Sequence, residues 1–236
     1  MAIDFNALTS KLEHLTAGGF DVDTMTILCW LNADGLGENS AGVVLTLPES
    51  EGNTFLQHDL ANIMAFGKSF TIADGFWTFS ITDGQWQAVA VSYDRTSTLN
   101  DPVAMVQFAA ATVTEQITPN GTQVSPATGY AIGNKTLQTQ TWDGGLMHLF
   151  FHNVILTAAQ MDQQLRYPGS VTTGGVLWAP MLNQNYTKTF TVSAGRWVDD
   201  GVNPTGTDLG ARANTGLNCL VSRKIISIPK RLRIAA

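Results

Sequence analysis

Trp86-Gln87-Ala88-Val89-Ala90-Val91-Ser92-Tyr93-Asp94 is the stretch on which the fold turns. Successive strand residues point to opposite faces. Trp86, Ala88 and Ala90 then share one face, and Val89, Val91 and Tyr93 the other. Both faces are apolar, as expected of a central strand covered on both sides in a two-layer fold. Outward from it, short apolar runs alternate with turn residues. Met25–Leu31 precedes Asn32-Ala33-Asp34-Gly35, and Gly42–Leu47 stops at Pro48. Ser69–Ile72 and Phe76–Ile81 are separated by Ala73-Asp74-Gly75, a hairpin-like break. Val103–Phe108, Thr128–Ile132 and Leu146–Val154 complete the main series. Thr157-Ala158-Ala159-Gln160 is a capping-box pattern that opens one short helix, followed by Met161 and Leu165 and ended ahead of Pro168. Many short strands with one helix predict an all-β, two-sheet antiparallel β-sandwich or jelly roll.

Composition agrees. In 236 residues, charged side chains make up 14% and hydrophobic ones 44%, enough to bury a sizeable core. Thr, Val, Gly and Asn outweigh the helix formers Glu, Lys and Arg, a bias toward strands and turns. The formal net charge of −6 argues against a general affinity for nucleic acid. No apolar run has the length of a membrane span. Met1-Ala2-Ile3-Asp4-Phe5 carries no basic segment followed by an apolar stretch, so no secretion signal is expected. The triplets at Asn120, Asn134 and Asn185 are accordingly read as chance. Of the two cysteines, Cys29 falls in an apolar strand pattern and reads as a small core residue. Nothing calls for a disulfide between it and Cys219.

Three stretches resemble the laminin-G-like branch of the concanavalin-A-like sandwich family. Phe20-Asp21-Val22-Asp23 followed by Met25–Leu31 is similar to its opening strand. Trp86–Asp94 is similar to its W-x-x-V-A-V-x-Y-D strand. Gly129–Asn134, then Trp142-Asp143-Gly144, Leu146–Asn153 and Leu156–Met161, is similar to its C-terminal signature. The resemblance covers residues 1–168 and implies two facing antiparallel sheets. Residues 169–236 read as a C-terminal extension. Within it, Val176–Pro180 is one more strand, and Gly174–Met181 resembles an extension in laminin-G-like proteins of bacteriophages. The Ala2-Ile3-Asp4-Phe5 start resembles those proteins as well.

Few constellations here carry chemistry. Glycan hydrolysis on such a sandwich needs two carboxylates at alternating strand positions, about 5–5.5 Å apart. Glu13, Glu38, Glu49, Glu51 and Glu115 form no such run, and Glu49-Ser50-Glu51 between Pro48 and Gly52 reads as a solvated loop. His148 and His152 read as surface or interface histidines on one strand, too far apart to share a metal ion. The family often binds calcium near the sandwich rim, and Asp21, Asp23, Asp94 and Asp143 are the matching positions. Turn capping is the better reading of all four, and of Asp199-Asp200-Gly201. No catalytic residue, metal or cofactor is therefore expected. Trp30 and Trp86 read as core. Trp77, Trp142 and Trp197 lie nearer turns and are the candidates for a sugar-stacking platform, against packing as the competing reading.

The last stretch holds Arg223, Lys224, Lys230, Arg231 and Arg233 among Ile226, Ile228 and other apolar residues. It reads either as a docking segment for an acidic partner or a neighbouring sheet edge, or as a final strand of the sandwich. Together these features predict a non-catalytic structural or binding protein. The first expectation is a bacteriophage virion component, such as a capsid decoration protein docked on the major capsid protein or another virion protein, assembled in the host cytoplasm. The alternative is a lectin-like carbohydrate-binding module recognising host-surface glycans. Homo-oligomers are expected on a symmetric particle.

Overall fold

The computed structural model describes residues 2–6, 9–14, 19–20, 22–49, 52–124, 129–135, 139–181, 189–201, 204–207 and 209–212. Strands follow one another along the chain as β1 (Ala2–Asn6), β2 (Lys11–His14), β3 (Thr24–Ala33), β4 (Gly42–Glu49), β5 (Gly52–Leu60) and β6 (Ile63–Lys68). Next come β7 (Gly75–Ser80), β8 (Gln87–Asp94), β9 (Val103–Val106), β10 (Ala109–Ala111), β11 (Thr114–Ile117), β12 (Tyr130–Ile132) and β13 (Asp143–His152). After helix α1 (Ala158–Arg166) lie β14 (Gly175–Ala179), β15 (Phe190–Ser193), β16 (Arg196–Asp199), β17 (Thr205–Thr207) and β18 (Gly210–Arg212).

These strands form two antiparallel sheets. One runs β10-β9-β8-β3-β13-β14-β15-β16, with β1 also on β13 and β18 on β1. The other runs β11-β7-β6-β5-β4-β12-β2-β17. Gln87–Asp94 of that stretch forms β8, flanked by β3 and β9 and buried on both faces, as its pattern requires, with Trp86 just ahead of it. On β3 the alternation is clean. Met25, Ile27, Cys29, Leu31 and Ala33 face the core between the sheets, and Leu28 and Trp30 face outward. Leu45, Leu47, Leu56, Phe66, Trp77 and Phe79 supply the opposing layer. The extension beyond residue 169 contributes strands to both sheets: β14 pairs β13, β17 pairs β2 and β18 pairs β1.

α1 lies on the outer face of the first sheet. The Thr157 hydroxyl accepts from the Gln160 backbone N–H (3.2 Å), and Gln160 Oε1 accepts from the Thr157 N–H (2.9 Å), completing the capping box. Met161 and Leu165 pack onto Leu28, Ala88, Ala90 and Met105, where small strand residues let the helix approach. Trp30 Nε1–H donates to the Leu165 carbonyl (2.9 Å), and Arg166 lies 3.8 Å over the Phe108 ring.

Two expectations are corrected. Ser69–Ile72 is not a strand but a loop between β6 and β7. Asp74 Oδ1 accepts from the Phe70 N–H, and the Ile72 N–H turns to the Asn120 carbonyl instead of a sheet neighbour. His148 and His152 are buried rather than superficial. The cause is the way β13 is shared. Its first half pairs with β1 and its second half with β14, and His148 sits where those two neighbours meet. There its N–H donates to the Pro180 carbonyl (3.0 Å), φ turns to 51°, and an extra residue shifts the register against β3. With that bulge, Leu149 and Phe151 face the inter-sheet core and Phe150 faces outward.

Candidate functional site

The register of the first sheet aligns a row of residues across its outer face. Met105, Ala90, Leu28, Phe150, Trp178 and Phe190 are successive cross-strand partners. α1 covers the small and aliphatic half of that row. The other half is an aromatic ladder. Phe150 and Trp178 stack with centroids 5.4 Å apart and planes 15° from parallel, and Trp178 meets Phe190 at 5.2 Å. Trp197 of β16 leans back over the ladder, edge-on to Trp178 at 5.9 Å and 5.7 Å from Phe150.

Two local features hold Trp197 there. Its Nε1–H donates to the Val171 carbonyl (3.1 Å) in the connection after α1. Its ring lies over Gly175, where an added Cβ would stand 2.6 Å from the indole, so only glycine leaves room. Phe150 is buried, while Trp178, Phe190 and Trp197 remain half-buried.

Polar atoms line the buried side of the ladder. Trp178 Nε1, His152 Nε2, Gln164 Nε2 and both His148 nitrogens are buried without a hydrogen-bond partner. His152 Nδ1 lies 2.8 Å from the Thr173 carbonyl, which places the proton on Nδ1 and leaves Nε2 a lone pair. That imidazole is perpendicular to Trp197 at 5.7 Å. Burial pushes the His148 pKa down to about 4 and lowers that of His152 against the opposing Thr173 hydrogen bond. Both rings are therefore neutral near pH 7. The face can stack against a flat apolar surface, but it offers no charged pair for proton transfer.

Of the candidate platform tryptophans, Trp197 alone lies on this face. Trp77 and Trp142 are fully buried, which corrects the platform reading for both. Trp77 fills the inter-sheet core beside Phe66 and Tyr93, with its Nε1–H satisfied by Asp101 (2.9 Å). Trp142 lies in the same core, 6.0 Å from the His58 ring. The docking residues Arg223, Lys224, Ile226, Ile228, Lys230, Arg231 and Arg233 lie outside the described residues, as does Cys219. Trp178 was legible only as part of a strand, and Phe190 stood in a Thr-rich segment with no apolar run. Their alignment depends on cross-strand register, which residue spacing does not reveal.

Of the aspartates weighed as calcium ligands or turn caps, Asp94 and Asp199 serve turns. Asp94 Oδ1 accepts from the Thr96 N–H (2.9 Å) and hydroxyl (2.6 Å), and Asp199 Oδ1 from the Gly201 N–H (3.0 Å). Asp23 faces the Arg95 guanidinium at 3.8 Å, and the Asp143 pKa is raised mainly by burial. Asp21 lies outside the described residues. Among the described residues no three His, Cys, Asp or Glu side chains come together as a metal site. No described helix is long and apolar enough to cross a membrane.

No protein-family model matches the chain, and no curated protein matches it. Solved structures do. A candidate carbohydrate-binding protein from Bacteroides ovatus superposes with a TM-score of 0.58 at 14% identity, covering 88% of this chain. The chain spans 58% of that protein's length. A native heptameric SAP-like pentraxin from Limulus polyphemus gives 0.51 at 13% identity, covering 91% of this chain and 96% of the pentraxin. Domains LG4-5 of the mouse laminin alpha1 chain give 0.47 at 11% identity over 64% of this chain and 40% of that one. The fold of this chain is the concanavalin-A-like, laminin-G-like jelly roll.

Proposed function

We propose that this chain is a non-catalytic binding module that holds a carbohydrate against Trp178, Trp197 and Phe190. The observation that carries the reading is the half-buried aromatic ladder on the outer face of the first sheet. Such rings stack on the apolar face of a pyranose, and the alternative of leaving three large aromatic side chains partly in water is unfavourable. The likeness of the fold to a protein named as a candidate carbohydrate binder supports it. A glycan array probed with the full chain, followed by titration of the best hit, tests it. Binding is expected in the micromolar-to-millimolar range and about tenfold weaker for Trp178→Ala, the loss of one stacking contact. An array without a hit overturns the reading. A hit indifferent to Trp178→Ala and Trp197→Ala moves the sugar off this face.

A place on a bacteriophage particle, with the major capsid protein as partner, is the second reading. It is supported by the resemblance of Ala2–Phe5 and Gly174–Met181 to phage laminin-G-like proteins. Mass spectrometry of purified particles from the source culture tests it, with a stoichiometric copy number expected. Absence from the particles removes this reading.

A further inference from the structure

The charge of this chain is divided unevenly along its length. Five of the 13 basic residues and none of the 19 acidic ones lie beyond Arg212, so residues 1–212 carry a formal −11 and residues 213–236 carry +5. The structure shows where the acidic part is open. Among the described residues β11 is an edge strand of the second sheet, paired with β7 on one side, and all four of its residues are exposed. Its outer rank of N–H and C=O groups is a template for another strand. Apolar side chains border it. Ile117 on β11 is 51% exposed, and Ile72, whose N–H meets the Asn120 carbonyl just beyond β11, 71%.

The carboxylates gather at the same edge. Asp101 and Glu115 are exposed and Asp94 is half-buried. Glu115 is the register partner of Trp77, whose Nε1–H donates to Asp101 (2.9 Å) and whose ring meets that of Tyr93, the neighbour of Asp94, at 5.0 Å. The Tyr93 hydroxyl is accordingly raised first by burial and then by these three charges. The neighbouring cations Lys68 and Arg95 are buried, each donating to the Val124 carbonyl, and Arg95 opposes the three carboxylates only as the weakest of these influences on Tyr93. The edge is thus apolar and acidic, and no second described strand covers it. The sequence 220–228, Leu-Val-Ser-Arg-Lys-Ile-Ile-Ser-Ile, is its complement: apolar, basic and rich in β-branched residues.

We propose that residues 220–228 of one copy add as a strand to β11 of a second copy, with Arg223 and Lys224 set against Asp94, Asp101 and Glu115. Strand addition at an exposed edge supplies main-chain hydrogen bonds, and the charges fix direction and partner. A second copy is the occupant because the chain's own β11 is badly placed. Arg212 lies on β18, six strand spacings from β10, or about 29 Å at the usual inter-strand distance. The eight steps from Arg212 to Leu220 span at most about 29 Å when straight. β11 belongs to the other sheet, so the reach required exceeds that lateral distance. The contact is head-to-tail, so it closes into a ring or continues as a filament. The proposal does not depend on the carbohydrate reading.

Sedimentation of the full chain tests it, at low salt and again at about 0.5 M NaCl, where the Debye length falls to about 4 Å. Reversible association at low salt is expected, weakened at least about tenfold in Kd by the added salt. Glu115→Lys and the pair Arg223→Glu with Lys224→Glu should each abolish it. All three substitutions together should restore it in part, a rescue that misfolding cannot mimic. A wild-type chain that stays monomeric at about 100 μM overturns the proposal, since even weak edge pairing shows there. Association untouched by Glu115→Lys overturns it too, as does stoichiometric transfer of the basic stretch to another protein while the free chain stays monomeric.

Discussion

At the residue scale, the aromatic ladder rests on two histidines kept neutral by burial. The unfolded chain takes up a proton on each near pH 6.5, and the folded chain resists until about pH 4 at His148. A folded pKa below the unfolded one means that protons bind the unfolded state better, so stability is lost as pH falls from about 6.5 toward 4. For His148 alone the loss amounts to about 3 kcal/mol across that window. Urea melts at pH 7, 5.5 and 4.5 should show this slope. His148→Asn, which tolerates the positive φ, should flatten it; an unchanged slope would place the acid sensitivity elsewhere. The same scale shows what a sequence hides. Trp142 stands next to Asp143-Gly144, in the company of turn residues, yet its ring turns inward beside His58. Trp178 is embedded in an ordinary strand pattern, yet it stays half-buried on the outer face. Proximity to a turn says little about which way an indole points, because the pairing of strands decides the face.

The elements themselves were far more legible. Period-two alternation located β3, β8 and β13, since each buries both faces and so shows a dense apolar signal. The capping box located the start of α1 to the residue, and Thr157→Ala should cost about 1 kcal/mol in chemical denaturation, because the hydroxyl that accepts from the Gln160 N–H and donates to Gln160 Oε1 is lost. β5 and β6 escaped notice for a physical reason. β5 buries two adjacent polar residues, Gln57, which donates to Asp59, and His58, whose Nδ1 lies 3.0 Å from the Gly35 carbonyl, so its pattern reads as polar. The turn into β13 depends on one glycine. At Gly144 φ is 138°, and an added Cβ would lie 2.0 Å from the Asn32 carbonyl oxygen. Gly144→Ala should therefore destabilise the fold by more than about 2 kcal/mol, measured by urea midpoint. A neutral result would show that β3 and β13 can separate there without consequence.

On the scale of the whole molecule, the extension beyond residue 169 decides how the protein unfolds. β14 covers β13, while β17 and β18 edge the two sheets on β2 and β1. Cutting the chain after Pro168 removes Leu177, Ala179 and Met181 from the core and uncovers Phe150. We expect that fragment to bind a hydrophobic dye and to lack a cooperative melt, whereas the full chain should show one transition in calorimetry. A truncated chain with an intact melt would mark the extension as a separate unit. Cys29 supplies a clock for the same event. Its thiol is fully buried on β3, between β8 and β13, with a pKa pushed up to about 12, so the folded protein presents no thiolate there to react. Alkylation followed at the Cys29 peptide by mass spectrometry thus counts only molecules whose central strands have parted. A slow reagent then reports the equilibrium of that opening and a fast one its rate.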